Sequence, residues 1–228
     1  MDKQQLPDLV VNGVSGGAGG TYNRVQIDGV GKVVGPIVAR MFNGNGHMNL
    51  NSDLTAEEAE CNGIMKIKGN ASIGKMKVDG VLTIGENFRG DSCTLNGMLS
   101  TKGNCELEEF TGEGSFNVAG LLSAGHVNFK LQGQGKANEI GVESLVIRQV
   151  SNGFWNKMLS GVIPKFRAGL STRTIEGDFI DLEYTTADII RGNIVIIGPG
   201  CNVGRIEYRD QITVHPEAKV GKVEKIGD

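Results

Sequence analysis

The chain has 228 residues, a formal net charge of −3, a pI of about 5.7, and 35 glycines against 5 prolines. That length fits one domain, or one solenoid with an elaboration, and the acidic balance excludes the basic footprint of a nucleic-acid binder. No apolar run approaches the roughly 18 residues of a membrane span, and the opening MDKQQLPDLVVNG lacks the regions of a secretory signal, so a cytoplasmic protein is expected.

Residues 1–20 are polar and then glycine-rich (SGGAGG), and read as a flexible lead-in. Residues 22–27 read as an incomplete opening rung with Val25 and Ile27 inward. From residue 29 to residue 130 the chain repeats every 17 residues, with glycine at Gly29, Gly46, Gly63, Gly80, Gly97 and Gly114. A fixed period of this size is the mark of a stacked repeat. Counting from each glycine, position 9 reads Ile37, Leu54, Ala71, Phe88, Cys105, Leu122, and position 14 reads Phe42, Ala59, Met76, Cys93, Phe110, Val127. Position 5 is apolar from Val33 to Val118 with Thr101 as the exception, and positions 3, 11 and 16 follow the same rule.

The inward positions thus fall in pairs two apart, a spacing that places both side chains on one face of a strand. Three pairs give three short strands per turn. Asp28-Gly29, Asn45-Gly46, Asn62-Gly63, Asp79-Gly80 and Asn96-Gly97 are corner dipeptides suited to positive φ. The expected fold is an all-β β-helix over 21–150, with rungs about 4.8 Å apart. An amphipathic helix is excluded, since it needs apolar spacings of 3 and 4.

Residues 151–174 break the pattern. Phe154, Trp155, Met158, Leu159, Val162 and Ile163 fall on a helical stripe, with Asn152 as a cap and Pro164 as a stop. Three readings are open for this insert: packing on its own solenoid, docking to another protein, or lying on a membrane surface with Lys157, Lys165 and Arg167 nearby. Over 175–228 the period returns, aligning Ile180, Ile197 and Val214; Thr186, Val203 and Val220; and Ile189, Ile206 and Val223.

The repeat, with IIGPGCNVGRIEY and VHPEAKVGKV near its end, resembles the bactofilins, the polymer-forming cytoskeletal proteins of bacteria. The likeness spans residues 21–150 and 175–226. It implies a right-handed β-helix, nucleotide-independent self-assembly into filaments, pairing with related β-helix paralogues and often attachment to a membrane. Two features depart from the family: the insert interrupts the solenoid, and the short apolar N-terminal anchor is not evident in residues 1–20.

No catalytic cluster emerges. His47, His126 and His215 take different repeat positions and do not stack. Asp91 and Glu108 share position 12 on successive rungs, near the separation of a retaining glycosidase pair, but that column otherwise reads as a solvated corner. Neither GxGxxG nor GxxxxGK[ST] occurs. Left-handed acyltransferase solenoids, built of hexapeptides, need about 18 residues per turn and a catalytic histidine. The cysteine spacings match no zinc or redox motif.

The expectation is therefore a structural protein that binds itself, with no cofactor, metal, catalytic residue or nucleic-acid partner. An enzyme or binding module on the same fold, acyltransferase-like or carbohydrate-active, is the alternative. Self-assembly is expected through Val25, Ile27 and Val33 at one end of the solenoid and Ile212, Val214, Val220 and Val223 at the other. Membrane or partner contact falls to Phe154, Trp155, Lys157, Met158, Leu159, Val162 and Ile163, at the inner face of the membrane if it is lipid.

Overall fold

The computed structural model describes residues 6–150 and 168–227. The stripe of Phe154, Trp155, Lys157, Met158, Leu159, Val162 and Ile163 lies outside the described residues. Among the described residues nine strands follow in chain order: β1 (Leu9–Leu50), β2 (Leu54–Ile67), β3 (Ala71–Ile84), β4 (Phe88–Thr101), β5 (Cys105–Gln149), β6 (Gly169–Leu182), β7 (Thr185–Ile197), β8 (Asn202–Val214) and β9 (Lys219–Lys225). Each pairs in parallel with the next, giving one sheet in sequential order. Parallel neighbours need a long return path; here each turn's own remaining sides supply it, and the sheet coils into a β-solenoid of about ten turns. The described residues contain no helix.

The register repeats the sequence period. Ile37 pairs with Leu54, Leu54 with Ala71, Ala71 with Phe88 and Phe88 with Cys105. Inward columns are sealed: Met65, Ile67, Ala71, Ile73, Met76 and Val78, the six inward positions of one turn, are each at most 2% exposed. Thr101, the polar exception, is as buried as its neighbours, and its hydroxyl donates to the Glu86 carbonyl at 2.5 Å. A hydroxyl with a partner removes most of the cost of burying it.

Two ladders of side-chain amides run up the corners. At the first, Asn45 donates to Asp28 (2.7 Å), Asn62 to Asn45 (2.9 Å) and Asn96 to Asp79 (3.0 Å). At the second, the backbone N–H groups of Asn70, Asn87, Asn104 and Leu121 donate in turn to the side-chain oxygens of Asp53, Asn70, Asn87 and Asn104. The second ladder thereby satisfies backbone N–H groups that a corner would otherwise leave without a strand partner.

The structure corrects three sequence expectations. The lead-in is strand from Leu9, with Val11 buried at 3%, and Asp8 accepts from the Arg24 backbone one turn on. The insert ends earlier than 174, because β6 resumes at Gly169 and pairs through Gln134↔Gly169 and Ile140↔Ile175. The C-terminal turns are not uniform in length: Leu170 pairs with Thr185 (15 residues on), Ala187 with Val203 (16) and Val203 with Val220 (17). Ile180 therefore stacks on Val195 rather than Ile197, and Ile206 on Ile190 rather than Ile189. The shortening comes from the corners. Only Glu183 and Tyr184 separate β6 from β7, and Tyr184 adopts φ +46° to close that tight turn.

All four cysteines are buried and none is in a disulfide. Burial disfavours the thiolate and pushes Cys61 up to about 11 and Cys93 up to about 12, with Cys105 and Cys201 also raised. Ellman's reagent at pH 8 should therefore find almost no reactive thiol in the native protein and all four after denaturation. Rapid native labelling of Cys93 would show that the described core is not formed.

Candidate functional site

The solenoid's last described turn is where the inward columns meet solvent. Ile212, Val214, Ala218, Val220 and Val223 continue the columns of Val195, Ile197, Cys201, Val203 and Ile206. The inner five are at most 2% exposed, whereas Val214 is 40% and Val223 45% exposed, with Ile212, Ala218 and Val220 half-buried. The difference is positional, since the outer set has a described turn on one side only. β9 correspondingly pairs with β8 and with no other described strand.

A charge ladder stiffens this end. Arg191 bonds Glu176 (2.6 Å) and Glu207 (2.7 Å), and Arg205 bridges Glu207 (2.8 Å) to Glu224 (2.5 Å). Glu207 and Glu224 are stacked in register, so two carboxylates would repel without the guanidinium between them. Lys222 and then Arg205, by hydrogen bonding, hold the Glu224 carboxyl below the usual range.

At the opposite end the sequence reading needs correction. Val25, Ile27 and Val33 are each 0% exposed, because the turn formed by residues 9–20 covers them. They are interior residues and not an assembly surface. Leu6, Val10 and Val14 are apolar residues exposed at that end, at 38%, 60% and 87%.

A shallow groove of about 970 Å³ runs along one side of the solenoid, lined among others by Arg40, Glu57, Arg89, Asp91, Glu106 and Glu108. Arg40 pairs with Glu57 (3.7 Å) and Arg89 with Glu106 (3.0 Å), each across one turn. Asp91 and Glu108 share this groove and adjacent turns, as their column predicts. Among the described residues no group of three or more His, Cys, Asp or Glu side chains is placed to hold a metal ion. The position-8 ladder of Asp53, Asn70, Asn87 and Asn104 escaped the sequence reading, although it recurs with the period and could have been read from it.

Fold and ends together define a parallel β-solenoid whose last described turn leaves part of its inward columns exposed. Two curated relatives, both from Bacillus subtilis strain 168, are similar to part of it. The protein named Uncharacterized protein YhbE is 39% identical over 104 residues, covering 45% of this chain and 42% of the relative. Uncharacterized protein YhbF is 32% identical over 108 residues, covering 47% and 42%. The chain thus spans less than half the length of these relatives. No family model and no solved structure matches.

Proposed function

We propose that this protein is a non-catalytic scaffold that polymerises by stacking its solenoid end to end, as the resemblance to bactofilins suggests. The observation that carries the reading is the jump in exposure between Ile197 and Ile206, at most 1%, and Val214 and Val223, at 40% and 45%. An edge strand offers unpaired N–H and C=O groups as a template for another strand, and here the edge surrounds an open apolar core. A second copy completes both the ladder and the core without nucleotide. Completing the burial of each half-exposed valine contributes about 1 kcal/mol.

Val214→Asp and Val223→Asp test it. Both sites are exposed in the single chain, so the variants should fold with unchanged thermal stability, while a stacked interface would have to bury an unpaired carboxylate. Negative-stain microscopy without nucleotide should show filaments for the parent protein and none for either variant. Filaments that persist in both would end the stacking model.

A further inference from the structure

One outward column is apolar from Val30 to Met98 but for His47, and the repeat gives no structural reason for it. Position 2 follows each corner glycine and points away from the core. It holds Val30, His47, Ile64, Val81 and Met98, stacked in register through His47↔Ile64, Ile64↔Val81 and Val81↔Met98. Val14 extends it by a turn, next to Gly13, whose carbonyl lies directly against Gly29. Val14, Val30, Ile64 and Met98 are 87%, 47%, 45% and 47% exposed. An exposed apolar strip on a flat sheet face usually marks a contact surface.

The charges on either side of the strip differ in sign. Beyond it along the chain lie Lys32, Lys66, Lys68 and Lys102, all exposed. Several cations elsewhere pair across turns, as Lys77 does with Glu60 (3.0 Å) and Arg89 with Glu106 (3.0 Å). These four lysines make no ion pair among the described residues. Before the strip lie Asp28, Asp79 and Glu113. Lys77 on that side is already held by Glu60 and by Asp79 at 3.9 Å.

We infer that this face binds the same face of a second copy side by side, with the two solenoids parallel and related by a two-fold axis running along them. That operation lays strip on strip and sets each lysine row against the partner's acidic row. A two-fold axis across the solenoids would instead oppose lysine row to lysine row, which like charge disfavours. An anionic membrane is a poorer fit, because the acidic row flanking the strip would meet it as well. This lateral pairing is independent of end-to-end stacking and uses different residues.

Cross-linking tests both the face and the orientation. Val30→Cys and Met98→Cys are made in the full chain, where the native thiols are buried, and treated with a short bismaleimide. Under the parallel two-fold each position faces its own copy, so both variants should yield covalent dimers, while Ser72→Cys on another side should not. Adding Ile64→Asp or Lys66→Glu should abolish the cross-link and, in sedimentation of the Val214→Asp background, reduce the mass from two chains to one. Circular dichroism confirms folding of each variant. Cross-linking at neither position or at only one overturns the proposal, as does association indifferent to Ile64→Asp. Two further results would also overturn it: binding of phosphatidylglycerol vesicles that needs Ile64 without any covalent dimer, and a single chain whose Met98→Cys thiol resists a monofunctional maleimide because its own chain covers it.

Discussion

Phe110→Asp is expected to leave no cooperatively folded protein, whereas Ser72→Asp, on an exposed outward position, should change the melting temperature little. Phe110 is fully buried and forms an aromatic cluster with Phe116 and Phe129, at ring-centroid distances of 5.6 and 5.0 Å; Phe116 and Phe129 are 5.3 Å apart, edge to face. Truncating such a ring costs about 3–5 kcal/mol, and breaking each of its two aromatic pairs adds about 1 kcal/mol. The carboxylate must then either stay charged in an apolar interior or take up a proton, at a further cost of several kcal/mol. Together these approach the 5–15 kcal/mol that holds a typical domain folded. Phe110→Leu keeps the burial and loses mainly shape, so it should cost about 1–2 kcal/mol. Thermal unfolding of the three variants checks the order, and a Phe110→Asp protein melting with the parent would contradict the inward assignment.

The inward columns were legible because side-chain direction alternates strictly, so each turn repeats the same buried set from Met48 through Phe129. The C-terminal register was not legible for a related reason. Inward residues come two apart, so a slip of two residues still matches apolar to apolar. Ile180 and Ile197 look equivalent at a spacing of 17, although Ile197 stacks on Leu182. A slip of one was detectable in principle: Thr186 is exposed while Ala187 and Val203 are buried, and a threonine aligned with a valine was the available clue. The glycine-rich start misled differently. Small residues read as mobile when nothing covers them, yet a Cβ on Gly19 would lie 2.5 Å from the Gly35 and Pro36 backbone. Their smallness there lets two turns approach.

For the site, the valines of the last turn were legible as columns, but their exposure depends on which turn lies outermost. That information is absent from a repeating pattern, and it is why Val25, Ile27 and Val33 were misplaced at a surface. The lateral strip is the converse case. Position 2 recurs with the period, and its place beside inward position 3 already puts it outward by strand alternation, but only the structure shows how much of Val14, Val30, Ile64 and Met98 stays uncovered.

Gly80→Ala is expected to break the solenoid in the middle, although it adds a single methyl group to an otherwise unchanged chain. Gly80 adopts φ +141°, and its column mates Gly29, Gly46, Gly63, Gly97 and Gly114 lie between +115° and +135°, a region that L-residues rarely occupy. Strain of this kind costs on the order of 1–3 kcal/mol. Space is the second obstacle. A Cβ at Gly80 would stand 2.1 Å from the Gly63 carbonyl oxygen and 2.9 Å from its carbon, both backbone atoms that cannot rotate away. Relieving the overlap means pushing two turns apart, at about 1–3 kcal/mol more. It also disturbs the amide ladder, because Asp79 next to it accepts from Asn96. Stability in a stacked repeat is a sum of neighbour terms, so the damage should appear as a new, less cooperative transition rather than a uniform shift. Gly74→Ala is the comparison: its Cβ would approach the Glu57 carbonyl at 2.6 Å, but its φ is not in the positive region, so only the steric part applies. Chemical denaturation should rank the variants as parent, then Gly74→Ala, then Gly80→Ala. If Gly80→Ala matches the parent in midpoint and slope, the corner column is not held as described.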